Sequence, residues 1–112
     1  MKLVTAIIRP EKTDLIREAL ESYGVQGMTM SQASGYGRQR GHTQVYRGAE
    51  FTVDLLPKVR LEILVDDISC DDILNVLIAT ANTGSAGDGK IWVTRVEEAI
   101  RVRTGERGVA AV

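Results

Sequence analysis

The stretch from Val59 to Ala81 reads VRLEILVDDISCDDILNVLIATA and decides the fold. Over its first seven residues, 59–65, apolar side chains alternate with Arg60 and Glu62, which predicts a strand with one buried face. Ser69-Cys70-Asp71-Asp72 then resembles a capping box. The apolar residues that follow at helical spacing, and that we expect to face inward, are Ile73, Leu74, Leu77, Ile78 and Ala81.

The rest of the chain supplies further elements of the same kinds. Leu3–Ile8 is a short apolar run that predicts a buried strand. Glu11–Tyr23 has helical periodicity and ends at Gly24, a typical helix C-cap. Its expected inward residues are Leu15, Ile16, Ala19, Leu20 and Tyr23. Met28–Tyr36 reads as extended, and Ile91–Val93 begins a last strand. The order β-α-β-β-α-β predicts an α+β, ferredoxin-like βαββαβ sandwich.

Composition narrows the class of protein. The chain has 112 residues, 44% apolar and 26% charged, which fits a single domain over residues 1–112. A formal net charge of -1 argues against a dedicated nucleic-acid or anionic-membrane binder. Cys70 is the only cysteine, so no intrachain disulfide can form, and a reducing cytoplasm fits.

The glycine-dense segment 82–90 joins a helix to a strand, so it is not a Walker A loop, which runs from strand to helix. Backbone amides freed by Gly87 and Gly89 can still point at phosphate oxygens, and Lys90 supplies a positive charge. The alternative is an ordinary glycine-rich turn.

Near the C-terminus, Arg101 and Arg103 lie two residues apart. If this stretch is extended, both side chains share one face, where a polyphosphate between them would relieve their repulsion. The alternative is a solvated basic edge strand. Taken together with Lys90, the two arginines favour a phosphate site.

Residues 37–57 form a long stretch without convincing periodicity. Loops of this length in small domains are often functional, and Arg38, Arg40 and Arg47 make this one locally cationic. It is either a mobile arm that docks on partners or a flexible surface loop. No catalytic triad, acid pair or metal-ligand cluster is recognisable in the sequence.

At these motifs the sequence resembles the PII nitrogen-regulatory signal-transduction family over the whole chain. Tyr46-Arg47-Gly48-Ala49-Glu50-Phe51 is similar to the family's loop signature except at its last residue. The segment 83–96 is similar to the second signature, and the segments 35–39 and 101–106 are further close matches.

The resemblance implies a homotrimer with ATP or ADP in the clefts between subunits. The residues that it implies for nucleotide binding are Ile7, Thr29, Gly35, Gly37, Arg38, Gln39, Glu62, Leu64, Gly87, Asp88, Gly89, Lys90, Arg101 and Arg103. Mg²⁺ would be held by the ATP phosphates, Gln39 and 2-oxoglutarate. The residues implied for 2-oxoglutarate are Gly37, Gln39, Arg40, Gly41 and Lys58.

The resemblance also implies partners and a division of labour along the chain. Residues 37–55 would be the effector loop, 82–90 the phosphate-binding loop and 101–112 a C-terminal segment. Arg47 and Phe51 would contact partners, which are an ammonium transporter and nitrogen-metabolism enzymes or regulators. We expect a cytoplasmic protein that does not bind nucleic acid and touches the membrane only peripherally, through the transporter.

Three other readings stay open. RNA-binding modules share the β-α-β-β-α-β order, but they need exposed aromatic side chains for stacking, and aromatics make up 4% of this chain. A small phosphotransferase or acylphosphatase on the same fold would show sustained turnover, whereas a sensor would show saturable binding alone. A PII-like relative with a different small-molecule effector would share the fold and the loops.

Three positions depart from the family pattern. Arg40 stands where lysine is common, and Ser85-Ala86 replaces a basic-aliphatic pair. Phe51 replaces the tyrosine that accepts a nucleotidyl group in relatives, and this departure bears on regulation.

We predict that no nucleotidyl group is attached at residue 51. The reaction needs a phenolic oxygen to attack phosphorus, and phenylalanine has none. The intact mass of protein purified from nitrogen-starved cells should therefore equal the unmodified mass. The protein would then signal by ATP, ADP and 2-oxoglutarate occupancy alone. An added nucleotidyl mass that maps to Tyr46 or Thr52 would contradict this.

Overall fold

The computed structural model describes residues 1–37, 43–46, 49–52 and 55–112. The elements in chain order are β1 (Lys2–Ile8), a 3₁₀ turn (Pro10–Lys12), α1 (Thr13–Tyr23), β2 (Thr29–Gly35), β3 (Thr43–Tyr46), β4 (Ala49–Thr52), β5 (Leu56–Val65), α2 (Cys70–Ala81), β6 (Gly89–Arg95) and a second 3₁₀ turn (Gly108–Ala111). No helix among these described ranges is long and apolar enough to cross a bilayer.

Four strands form one antiparallel sheet in the order β2-β5-β1-β6. With α1 and α2 between them, these strands give the βαββαβ arrangement, so the predicted ferredoxin-like α+β fold is confirmed. β3 and β4 pair with each other in a separate two-stranded hairpin. The pairing of β2 with β5 runs as far as Gly35 opposite Leu56, so the two ends of the segment 36–55 leave the sheet side by side.

The hydrophobic core lies between one face of this sheet and the two helices. Alternate residues of β1 and β5 enter it because successive side chains on a strand point to opposite faces. The buried apolar residues of the cluster are Val4, Ala6, Ile8, Ile16, Leu20, Leu61, Ile63, Val65, Cys70, Ile73, Leu77 and Ala81. Burying each large aliphatic side chain contributes about 1.5–3 kcal/mol, so this cluster dominates the stabilisation of the fold.

The opposite face of the sheet carries a mixed set of polar and apolar side chains. The Arg60 guanidinium lies 5.9 Å from the centroid of the Trp92 ring, and its Nε is 3.3 Å from Glu62 Oε1. Thr5, the register partner of both Glu62 and Trp92, is only 1% exposed. Leu64 and Trp92 remain about two-fifths exposed on this face, at 42% and 39%.

The helices bury narrower stripes of apolar side chains than the sequence predicts. Leu15, Tyr23 and Ile78, expected to face inward, are 53%, 41% and 54% exposed. The buried positions of α1 are four residues apart, at Ile16 and Leu20, so residues beside that line point sideways into solvent.

Three local predictions are wrong. Ser69 stands at the N-cap of α2, but its side chain makes no capping hydrogen bond; its N–H donates instead to Asp66 Oδ1 at 2.7 Å. The first α-helix begins at Thr13 because Pro10 opens a 3₁₀ turn before it. The stretch 37–57 is not irregular throughout, since it contains the hairpin and the beginning of β5.

A candidate anion site at the glycine-rich loop

A cavity of about 470 Å³ lies where β1, β2 and β5 meet the segment between α2 and β6. It brings together most of the sequence-predicted residues from these elements. Its lining residues are Ile7, Gly35, Tyr36, Gly37, Lys58, Ala86, Gly87, Gly89 and Lys90. The cavity therefore combines a glycine-rich loop with two lysines, the composition expected of an anion site.

The backbone of this loop depends on glycine. Gly84, Gly87 and Gly89 have φ values of 83°, 98° and 109°, in the region that other residues rarely adopt. At Gly89 the constraint is also steric, because a Cβ built there would overlap the carbonyl oxygen of Ile7 on the neighbouring strand. At Gly84, apart from that residue and its two chain neighbours, no heavy atom lies within 4 Å of such a Cβ.

Asp88 is held by donors from two parts of the chain. Its carboxylate accepts the N–H of Thr83 at 2.8 Å and of Gly84 at 3.0 Å, together with the Thr83 hydroxyl. Arg9 Nε donates to it at 3.0 Å. The Thr83 hydroxyl and N–H, followed by Arg9 and Gly84, hold the pKa of Asp88 well below its usual range.

Lys58 is a buried cation at the floor of the cavity. Its side chain comes from β5, the residue is 7% exposed, and Nζ donates to the carbonyl oxygen of Gly87 at 2.8 Å. Burial, and then the positive charge of Arg9, lowers its pKa. Among the described residues no carboxylate lies within ion-pair distance of Lys58. A bound anion would therefore compensate a charge that now lacks a carboxylate partner.

The remaining predicted nucleotide residues of the sheet line a second cavity, of about 920 Å³. It contains Thr29, Glu62 and Leu64, and it lies toward the beginning of β1 at Leu3, whereas the smaller cavity lies toward its end at Ile7. Within a single chain, the predicted set is thus divided between the two ends of one sheet face.

The extended conformation that would place Arg101 and Arg103 on one face is not formed. The chain reverses there, because the Gly105 N–H donates to the Arg101 carbonyl at 2.7 Å and the Arg101 N–H donates to the Glu106 carbonyl at 2.9 Å. Gly105, with φ 73°, makes this turn possible. Arg101 Nη1 pairs with Glu106 at 3.1 Å, and neither arginine lines either cavity.

Several predicted residues lie outside the described residues. These are Arg38, Gln39, Arg40, Gly41 and Arg47. Phe51 belongs to β4, where it pairs with Gln44 of β3.

Arg9 and Thr83 were not among the residues predicted from the sequence. Arg9 is 79 residues from Asp88 in the chain, so no local spacing relates the two. The one available signal was a lone acidic residue inside a loop predicted to bind an anion. Such a carboxylate needs cationic or N–H partners, and Arg9 and Thr83 supply them.

The sheet with two helices on one face and a glycine loop at its edge defines a ferredoxin-like α+β protein with a candidate anion site. The family model "Nitrogen regulatory protein P-II" matches residues 1–106. The chain belongs to this nitrogen regulatory protein P-II family and is a regulator in nitrogen signal transduction.

Similar proteins match along the entire chain. The "Nitrogen regulatory protein P-II 1" of Escherichia coli (strain K12) is 53% identical over 112 residues, which is 100% of both chains. The "Nitrogen regulatory protein P-II" of Haemophilus influenzae is 52% identical and that of Rhodospirillum rubrum is 51% identical, again over 100% of both chains.

We predict that Gly89→Ala destabilises the protein much more than Gly84→Ala. Both substitutions place alanine at positive φ, which costs about 1–2 kcal/mol. Only Gly89→Ala also forces β6 away from the Ile7 carbonyl. Thermal unfolding at equal protein concentration should show the larger fall in Tm for Gly89→Ala. Equal falls would mean that the contact between Gly89 and Ile7 does not constrain the loop.

Proposed function

We propose that this regulator reports nitrogen, carbon and energy status by binding ATP or ADP, with Mg²⁺-dependent 2-oxoglutarate, in clefts between the subunits of a homotrimer. The observation that carries the proposal is the smaller cavity, where a positive-φ glycine loop adjoins Lys90 and the buried Lys58. Two lysines, together with a glycine loop whose backbone can approach a ligand closely, suit a polyphosphate and a dicarboxylate. Both are strongly anionic ligands.

The phosphates would be held on the loop side of the cleft. Lys90 is the second residue of β6, directly after Gly89, and lines the same cavity as Gly87. Lysine offers a compact positive charge, and the glycines let the backbone approach the phosphate closely. Arg101 and Arg103 would reach the phosphates from the C-terminal turn, and Arg38 from the effector loop.

A second copy of the chain would account for the division of the predicted residues between two cavities. Thr29, Glu62 and Leu64 of one subunit would face Ile7 and Lys90 of the next, so that each cleft is complete only in the assembly. The partly exposed Leu64 and Trp92 on the sheet face support such packing, because apolar side chains are stabilised when a partner covers them.

The 2-oxoglutarate molecule would bridge Mg²⁺ and Lys58. Magnesium prefers a full octahedral set of oxygen ligands, which the ATP phosphates and Gln39 leave incomplete. The carboxylate and keto oxygens of 2-oxoglutarate can complete it, and Lys58 can then pair with the distal carboxylate. Gly37, Arg40 and Gly41 would assist from the effector loop. This arrangement makes 2-oxoglutarate binding conditional on the nucleotide.

The partners would be reached through the effector loop, in the cytoplasm. By family resemblance these are an ammonium transporter at the membrane and enzymes or regulators of nitrogen metabolism. Arg47 and Phe51 would make the contact, and ligand occupancy would set the position of the loop. Co-sedimentation with an ammonium channel, with and without ligands, tests this part: binding that ignores ligand state would exclude it.

We predict that Lys90→Ala and Arg103→Ala each weaken ATP binding by about ten-fold or more, because a charged hydrogen bond contributes about 1.5–3 kcal/mol. Isothermal titration calorimetry measures the change. Arg17→Ala is the matched control, since Arg17 pairs with Asp14 and Glu21 on α1, away from both cavities. Unchanged affinity in the first two variants would exclude this site, and a stable monomer by light scattering would exclude the shared cleft.

We predict that 2-oxoglutarate binds only with Mg²⁺-ATP present and that Lys58→Met removes this binding. By thermodynamic linkage, 2-oxoglutarate must tighten ATP by the same factor. Affinity should fall as pH rises through the lowered pKa of Lys58, because the neutral amine cannot pair with the carboxylate. Lys12→Met is the control, since Lys12 lines neither cavity. If calorimetry shows that 2-oxoglutarate binds nucleotide-free protein as tightly as the Mg²⁺-ATP complex, the arrangement is contradicted.

A further inference from the structure

Arg9 connects the rigid centre of the sheet to the glycine-rich loop. It follows β1 directly, and each of its guanidinium nitrogens has a partner. Nε donates to Asp88 at 3.0 Å, Nη2 donates to the Ala86 carbonyl at 2.7 Å, and Nη1 lies 3.9 Å from Glu11 Oε1. Through these two hydrogen bonds to Asp88 and Ala86, Arg9 acts on the loop.

Two cations orient two consecutive carbonyl groups of the loop. Arg9 holds the carbonyl of Ala86, and Lys58 holds that of Gly87. In a planar trans peptide the N–H points opposite to the C=O, and no cis peptide occurs among the described residues. The N–H groups of Gly87 and Asp88 therefore point away from the two cations. Neither donates a hydrogen bond to another described residue.

Asp88 fixes the other end of the same loop. Its two oxygens accept three hydrogen bonds from Thr83 and Gly84 as well as the one from Arg9. A carboxylate beside a phosphate would by itself repel it. A favourable effect of Asp88 on anion binding would therefore have to come from the loop shape that it holds, against its electrostatic repulsion.

We infer that Arg9 and Asp88 are positioning residues: together they set the peptide planes of residues 86–88, so that two N–H groups point toward an incoming phosphate before it arrives. Such preorganisation strengthens binding because the loop is ordered without a cost at the moment of binding. The inference deepens the proposed nucleotide site and rests on it for the identity of the ligand.

Calorimetry with ATP tests the inference through the sign of one substitution. Asp88→Asn removes a negative charge but keeps the size of the side chain. If Asp88 acts only through its charge, ATP binds more tightly; if it positions the loop, ATP binds more weakly, by about ten-fold for the lost charged hydrogen bond. Arg9→Lys should also weaken ATP binding, since a single ammonium nitrogen does not reproduce the fixed fork of Nε and Nη2 that reaches Asp88 and Ala86. Equal or tighter ATP binding by Asp88→Asn would overturn the inference.

Thr83 offers a matched pair that separates the hydrogen bond from general packing. Thr83→Ser keeps the hydroxyl that Asp88 accepts and should bind ATP like the wild type. Thr83→Val keeps the shape without the donor and should bind several-fold more weakly, with unchanged oligomeric state by light scattering. Equal affinities in the two variants would contradict the role of the Asp88 contacts.

Hydrogen exchange of the wild-type protein without ligand provides a test independent of ATP. The amides of Thr83 and Gly84 should be protected, and Asp88→Asn should remove that protection. Unprotected amides in the wild type would overturn the inference. If the amides are protected and wild-type protein fails to bind ATP, the ordered loop stands and the proposed nucleotide function is what fails.

Discussion

The pairing of β1 on both of its edges is the constraint on which the rest of the molecule depends. Because β5 and β6 flank it in antiparallel register, every β1 side chain must enter either the helix-covered core or the opposite face. Val4, Ala6 and Ile8 take the core side. Ile7 and its register partner Lys90 are thereby directed to the other side, next to the glycine loop. The same alternation that forms the core thus also assembles the candidate site.

The periodic spacing of apolar residues and the local density of glycines were sufficient to predict the sheet, both helices and the loop at residues 82–90. Alternation is a local property, and the burial of Leu61, Ile63 and Val65 follows directly from it. Ser69 and Arg101 show where this reasoning stops. A capping sequence was present at Ser69 but the chain satisfied the N–H through Asp66, and a period-two spacing at Arg101 was overridden by hydrogen bonds within a turn.

Contacts between distant parts of the chain were the other feature that could not be predicted from the sequence. Lys58 could be assigned to an anionic ligand only through family resemblance, and nothing in its neighbourhood in sequence indicates burial against Gly87. Its desolvation is a cost to the fold, and a bound anion would offset that cost. A ligand that binds only the folded state adds about 2.7 kcal/mol of stability at a hundred-fold excess over its Kd. Binding of an anion at this cavity would therefore be thermodynamically linked to the stability of the sheet.

Gly35 and Leu56 face each other at the point where β2 and β5 leave the sheet. This pair holds the two ends of the intervening segment 36–55 together, whatever residues that segment contains. Loop-closure entropy grows slowly with length, about 0.6 kcal/mol for each doubling. The sheet therefore tolerates exchange of this segment for one of another length or sequence, so that the segment can diverge in evolution, or be rewritten by design, while the sheet and its hydrophobic core stay the same.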